Sequence, residues 1–156
     1  MYKSCKTVVV PINQKKLPEV KKFRVSLIAH DAKKADILAF ANKNEVFLKK
    51  CDLLATKGTG HLINEKTELE VQEMMSGPEG GDLQIGGLVA SKEVDLVIFL
   101  RDPLAKQPHD PDISALIKVC DIHNVPLATN LSSADILLKG IIYKADSFSG
   151  LKKEKS

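Results

Sequence analysis

The chain has 156 residues, a length for one domain, with 44% apolar and 28% charged residues, near the globular average, which excludes a disordered chain and a fibre. The longest apolar runs, such as 96–100, fall far short of the ~20 residues a membrane span needs. No secretory signal follows Met1, so the cytosol is the expected compartment and no membrane partner is expected. The net charge of +3 is concentrated at the ends: residues 1–22 carry six lysines against one glutamate, residues 144–156 four lysines against one aspartate and one glutamate, and the body between them is acidic. A basic arm can meet nucleic acid, but tryptophan is absent and aromatics total 4%. Too few stacking platforms remain for a single-strand binder, so no nucleic-acid partner is expected. Cys5, Cys51 and Cys120 are odd in number and far apart, which reads as reduced thiols rather than a disulfide framework or a zinc site.

Residues 1–22 read as a basic extension, in which Val8-Val9-Val10 is an edge strand or part of a loose arm, and the domain is expected to run over 23–143 with a Lys-rich tail over 144–156. A first strand is predicted over 23–29, with Asp31 as the cap of a helix over 32–50 whose apolar positions Ile37, Leu38, Phe40, Ala41, Phe47 and Leu48 have helical spacing. A short strand over 52–56 is expected to be broken by Gly58-Thr59-Gly60, with one or two helical turns over 61–64, a weak strand over 68–72, a glycine-rich turn over 76–81 and a helix over 82–90. The clearest strand is 95–100, because Leu96 to Leu100 is apolar without alternation, as in a strand buried on both faces of a parallel sheet. A helix over 112–123, a fifth strand over 125–128 and a last helix over 132–138 complete the pattern. Strands alternating with helices predict an α/β fold, a single-domain three-layer sandwich around a five-stranded, mostly parallel sheet.

In such sheets ligands bind beyond the carboxyl ends of the strands, and the polar and glycine-rich residues fall there. Thr56-Lys57-Gly58-Thr59-Gly60 offers backbone N–H groups, two hydroxyls and an ammonium, a set that suits a phosphate; it is not a Walker loop, and an ordinary capped turn is the plainer account. Ser76-Gly77-Pro78-Glu79-Gly80-Gly81-Asp82 lets backbone approach a ligand closely, and Asp82 is either a helix cap or a general base. In Pro108-His109-Asp110-Pro111-Asp112, Asp110 reads as the N-cap and Pro111 as the first helical residue. That leaves His109 free to shuttle protons or simply to be solvated. His30, Asp31 and Lys34 surround the end of the first strand. No serine stands in G-x-S-x-G and no H-E-x-x-H is present, so neither a serine triad nor a metal site is indicated and no cofactor is expected. Together the set suits proton transfer on a small phosphorylated carbonyl compound.

Ala29-His30-Asp31, Ala55-Thr56 with Gly58-Thr59-Gly60, Ser76-Gly77-Pro78 with Gly80-Gly81-Asp82, Asp102-Pro103-Leu104, Pro108-His109-Asp110-Pro111-Asp112 and Pro126-Leu127-Ala128-Thr129-Asn130 closely resemble methylglyoxal synthase, in order and with compatible spacing, from about Arg24 to Leu138. The resemblance implies a metal-free lyase that turns dihydroxyacetone phosphate into methylglyoxal and inorganic phosphate, usually as a homohexamer, with inorganic phosphate as product and allosteric inhibitor. It implies Asp82 as catalytic base, His109 as proton carrier between substrate oxygens, and Asp112, Asp31 and Asp102 as supporting carboxylates. His30, Lys34, Thr56, Lys57, Gly58, Thr59, Ser76 and Gly77 correspond to substrate-binding positions, with His109 also touching substrate. Two departures stand out. The family loop usually reads Thr-Gly-Thr-Thr-Gly, so this chain exchanges a hydroxyl for Lys57. The family also commonly has a phosphate-clamping arginine near its C-terminus, and none matches here, since the only arginines are Arg24 and Arg101. The same fold serves as a ligand-sensing domain in carbamoyl phosphate synthetase and in a purine-synthesis cyclohydrolase, which makes a non-catalytic sensor the rival reading.

Overall fold

The computed structural model describes residues 22–154; the expectation for Val8-Val9-Val10 and the Cys5 thiol lie outside the described residues. Five strands, β1 (Arg24–Ala29), β2 (Asp52–Ala55), β3 (Val71–Glu73), β4 (Leu96–Leu100) and β5 (Leu127–Ala128), form one sheet in the order β3-β2-β1-β4-β5. Every pairing is parallel. The strands alternate with helices α1 (Lys34–Lys43), α2 (Glu45–Leu48), α3 (Lys57–Lys66), α4 (Gly81–Ala90), α5 (Asp110–Ile122) and α6 (Leu131–Glu154), and short 3₁₀ turns cover Asp31–Lys33 and Gly77–Glu79.

The unalternating apolar run of β4 has the expected cause. Leu96, Ile98 and Leu100 join one core cluster with Ile37 and Phe40 of α1, Ile63 of α3 and Ala134 and Leu138 of α6. Val97 and Phe99 join the other, with Ile85 and Val89 of α4 and Ile113, Leu116 and Cys120 of α5. The sheet is thus sandwiched between two helical layers. Burying each large side chain contributes about 1.5–3 kcal/mol, and Phe99, Leu96 and Ile98 are 0% exposed. Cys51 and Cys120 are free and buried, and burial pushes both thiols up to about 11, so they pack as small apolar groups.

Several boundaries differ from the sequence expectations. The helix predicted over 32–50 is interrupted at Asn44, which separates α1 from α2. Strand β3 sits at 71–73 rather than 68–72. The final helix, expected over 132–138, continues through Glu154. The largest correction concerns Gly58-Thr59-Gly60, which is no loop: Thr56 is the N-cap of α3 and the glycines lie in its first turns. Two glycines lower helix propensity, but a Cβ at Gly60 would come within 2.8 Å of Glu73 Cγ, so the close seating of α3 beside β3 takes precedence. At α5 the cap position belongs to His109; Asp110 is the first helical residue, and its carboxylate accepts the N–H of Gln107 at 3.3 Å.

Candidate active site

The chain order reverses across β1 and β4, and the crevice at their carboxyl ends is where a parallel sheet binds ligands. The N–H of His30 donates to Leu100 O at 3.1 Å and ties the two strand ends together. A cavity of about 150 Å³ opens there. His30, Asp31 and Lys34 reach it from the end of β1, Thr56 and Gly58 from the start of α3, Ser76, Gly77 and Asp82 from the start of α4, and His109 from the start of α5. Four separate segments therefore converge on one space.

Asp82 stands in the first turn of α4 behind Gly80, whose φ of 104° is a left-handed conformation that glycine adopts readily. A Cβ at Gly81 would run into the Met75 carbonyl, so the turn must be this bare to fold back on the helix. Asp82 is 1% exposed, and neither carboxylate oxygen has a hydrogen-bond partner. Its Oδ2 lies 3.3 Å from His109 Nε2. Burial pushes the Asp82 carboxyl above the usual carboxylate value; the charge of His109 opposes this and that of Asp112 adds to it. The result is a poorly solvated carboxylate whose oxygens have no hydrogen-bond partner, and desolvation makes a carboxylate more basic. Gly77 packs directly against the His109 ring, since a Cβ there would come within 2.7 Å of Nε2.

His30 is 8% exposed. Its Nδ1 accepts the Asp102 backbone N–H at 2.8 Å, so the imidazole proton belongs on Nε2. That Nε2 is buried without a partner. The His30 pKa is lowered, chiefly by burial, then by the charges of His109 and Arg101; Asp102 opposes and Lys34 adds. His30 thus presents a neutral N–H donor at the cavity.

Lys34 Nζ donates to Ala29 O at 2.5 Å and to Thr59 Oγ1 at 2.8 Å. Thr59 is 0% exposed, and its Oγ1 also accepts the Ala29 N–H at 3.2 Å. Burial lowers the Lys34 pKa, with Asp31 opposing. A Cβ at Gly58 would lie 3.6 Å from Lys34 Nζ, so the ammonium sits over the first turn of α3, where N–H groups have no carbonyl partner within the helix. One cation and those N–H groups make an anion cradle.

Four predicted residues do not line the cavity. Thr59 anchors Lys34 from below. Asp102 acts through its backbone N–H, and its carboxylate accepts the Leu104 N–H at 3.1 Å. Asp112 reaches Asp82 only through its field. Lys57 is exposed, and its backbone N–H goes to Met75 O at 3.3 Å. The sequence reading missed Gln107, which lines the cavity; its place two residues before His109 in the same loop was the available signal. Among the described residues no group of three or more His, Cys, Asp or Glu side chains is arranged to hold a metal ion.

Comparison with known proteins bears on what this geometry is for. A family model described as the MGS-like domain matches residues 36–129. Methylglyoxal synthase of Ralstonia nicotianae (strain ATCC BAA-1114 / GMI1000) is 56% identical over 118 residues, covering 76% of this chain and 87% of that protein. The chain belongs to the methylglyoxal synthase family. Another member, methylglyoxal synthase of Clostridium botulinum (strain Alaska E43 / Type E3), is 53% identical over 116 residues, covering 74% of this chain and 98% of that protein. Methylglyoxal synthase from Elizabethkingia anophelis NUHP1 has a crystal structure that superposes with a TM-score of 0.71 at 42% identity, covering 76% of this chain and 78% of that one. The methylglyoxal synthase fold expected from the sequence is the fold observed.

Proposed function

We propose that the chain is a lyase that converts dihydroxyacetone phosphate to methylglyoxal and inorganic phosphate. The observation that carries the reading is Asp82, a buried carboxylate without hydrogen-bond partners, 3.3 Å from His109 Nε2 in a cavity that also holds a half-buried ammonium. A phosphate sensor needs the cradle of Lys34 and α3; it has no use for a desolvated base beside an imidazole. Relatives at 53–56% identity named methylglyoxal synthase support the catalytic reading over the sensor.

The steps follow from the groups available. Lys34 and the first-turn N–H groups of α3 hold the phosphate end, which fixes the hydroxymethyl carbon near Asp82. Asp82 takes a proton from that carbon, and the C–H electron pair becomes the C=C bond of an enediolate while the carbonyl oxygen gains charge. The His30 Nε2–H and His109 are the donors available to that charge. His109 then carries the proton of the former hydroxymethyl oxygen to the former carbonyl oxygen. Electrons on the first oxygen re-form a carbonyl, the double bond moves to the methylene carbon, and its C–O bond to phosphate breaks. The enol takes up a proton at carbon to give methylglyoxal. Substrate atoms account for both products, so no water or oxidant enters.

Residues 23–143 carry this reaction in our reading, with the basic stretches 1–22 and 144–156 outside it, and the enzyme acts in the cytoplasm. No described helix is long and apolar enough to cross a membrane. Assembly into a homohexamer and inhibition by inorganic phosphate belong to the same proposal. Exposed Leu83, Leu104, Ile122 and Ile136 support self-association, and light scattering tests it. The deciding experiment supplies dihydroxyacetone phosphate to the purified chain and measures methylglyoxal and phosphate together. Equimolar release that depends on Asp82 is expected; phosphate binding without release would make the chain a sensor.

A further inference from the structure

Gln107 lines the catalytic cavity together with His109, and no step of the reaction has yet used it. It opens a tight turn in which its C=O accepts the Asp110 N–H at 3.2 Å across Pro108 and His109. Proline presets the first inner position, and His109, with φ −108° and ψ 25°, fills the second, close to a type I turn. The Asp110 carboxylate closes the turn a second time by accepting the Gln107 N–H at 3.3 Å. Both backbone groups of Gln107 are thus committed to Asp110, which holds its Cα at a fixed offset from that of His109. Its side chain is committed to nothing: among the described residues no hydrogen bond reaches the carboxamide, and the residue stands half-buried in the cavity wall.

The layers of the fold decide which end of a ligand it meets. Helices α1 and α3, which bring Lys34 and the anion cradle, cover one face of the sheet, and α4 and α5, which begin beside Asp82 and His109, cover the other. A phosphorylated ketone lying across the rim has its phosphate on the first side and its far end on the second, where Gln107 enters with His109. Other polar groups of the wall are already engaged, Lys34 with Ala29 and Thr59 and His30 Nδ1 with Asp102. Gln107 is the one carboxamide in the lining. A carboxamide offers a donor and an acceptor on separate atoms and carries no titrating proton. It can therefore bind a hydroxyl without competing for the proton that His109 must move.

We propose that Gln107 is a specificity-determining residue whose carboxamide binds the free hydroxyl of a hydroxymethyl ketone phosphate. This role rests on the proposed lyase reaction, whose substrate carries that hydroxyl on the carbon from which Asp82 takes a proton. Held by Gln107, the hydroxyl oxygen stays on the same side of the forming double bond as the carbonyl oxygen, where one His109 ring serves both. A ketone phosphate with a methyl group at that end leaves the carboxamide without its partner. Sites built to hydrogen-bond a hydroxyl discriminate against analogues that lack it. Because Gln107 is only half-buried, water satisfies part of the unpaired amide and the discrimination is moderate.

The test compares dihydroxyacetone phosphate with acetol phosphate, which has a methyl group in place of the hydroxymethyl group. Affinities are read by isothermal titration on the full chain carrying Asp82→Asn, which does not consume substrate. This chain is expected to prefer dihydroxyacetone phosphate, and adding Gln107→Met is expected to shrink the preference about fivefold, the net worth of one neutral hydrogen bond. Affinities for acetol phosphate and inorganic phosphate should stay unchanged, which a general loosening of the loop would not allow. Gln107→Ser serves if Gln107→Met does not fold by circular dichroism. No preference before the substitution, an undiminished preference after it, or an equal loss of all three ligands would overturn the proposal. Failure of the lyase reading looks different: the unaltered chain then releases no methylglyoxal from dihydroxyacetone phosphate, and the role of Gln107 falls with it.

Discussion

The Asp102 backbone N–H and His30 Nδ1 are 2.8 Å apart although 72 positions separate them in the chain. A main-chain donor cannot give up its proton, so the ring nitrogen facing it must accept. The bond therefore sets both the tautomer of His30 and the polarity of its other nitrogen, which is buried and unpartnered beside the cavity. This device does not involve the Asp102 side chain.

The first expectation follows from that bond. Nitrogen chemical shifts of the His30 ring should report a neutral imidazole with its proton on Nε2 at neutral pH, and this should persist below the ordinary histidine pKa because burial and the charges of His109 and Arg101 lower it. Asp102→Asn keeps the backbone donor and should leave the tautomer unchanged. A proton on Nδ1, or a protonated ring at neutral pH, would refute the assignment.

Asp82 gives a prediction with opposite signs for activity and stability. Its carboxyl is raised, first by burial, so the folded chain holds that proton more tightly than the unfolded chain. The stability tied to this group is present in acid, below the ordinary aspartate value, and is lost as pH rises through the raised one. Asp82→Asn should therefore stabilise the fold at neutral pH by about 0.5–2 kcal/mol, the usual gain when a strained functional group is relieved. The gain should shrink toward zero in acid, as measured by urea unfolding at two pH values. Turnover should fall by about 10²–10⁴, the worth of a general base. A destabilised variant at neutral pH would place the carboxylate in a partnered role.

Gly77 tests the seat of His109. Its φ is not positive, so alanine fits the backbone, but the added methyl would lie 2.7 Å from His109 Nε2. Gly77→Ala should fold normally and displace the ring from Asp82. Misplacement on the order of 1 Å costs about 10²-fold in rate, so kcat should drop on that scale while phosphate affinity, set at Lys34, changes little. Unchanged kcat would mean that the 3.3 Å approach of His109 to Asp82 does not matter for turnover.

The fold was legible because its strands announce themselves. Leu96 to Leu100 is apolar on both sides of the pleat, and only a sheet covered on both faces uses such a strand. Asp82, His109 and His30 were legible as motifs at strand ends. What a linear pattern hides is seating. Gly58 and Gly60 read as a turn because propensity is local, whereas the reason for Gly60 is its approach to Glu73 across the sheet edge. Thr59 corresponded to a substrate-binding position through its motif, and only the structure shows that it is 0% exposed with its hydroxyl bonded to Lys34 and Ala29. Asp110 read as a helix cap because aspartate before proline usually is one, yet its carboxylate turns back to Gln107. Each depends on a partner that is not visible along the chain.

The last prediction separates two lysines. Lys57 opens α3, and a cation next to a phosphate cradle invites a role in binding. The structure points its side chain to solvent, outside the cavity lining. Lys34 is instead held by Ala29 O and Thr59 Oγ1 over the start of α3, so its charge is fixed and partly desolvated, and fixed, desolvated charges bind most strongly. Lys34→Met should weaken dihydroxyacetone phosphate and inorganic phosphate together, by about 1.5–3 kcal/mol each, the range for a hydrogen bond to a charged group. Thr59→Val, which removes the hydroxyl that positions the ammonium, should give a smaller loss in the same direction. Lys57→Ala should leave both affinities within about twofold at low salt, because an exposed charge is screened by water and ions. KM for the substrate and the inhibition constant for phosphate, measured for all three variants at two ionic strengths, decide the matter. A parallel loss of both affinities in Lys57→Ala that fades at high salt would move the phosphate cation to Lys57 and leave Lys34 as a structural tie between β1 and α3.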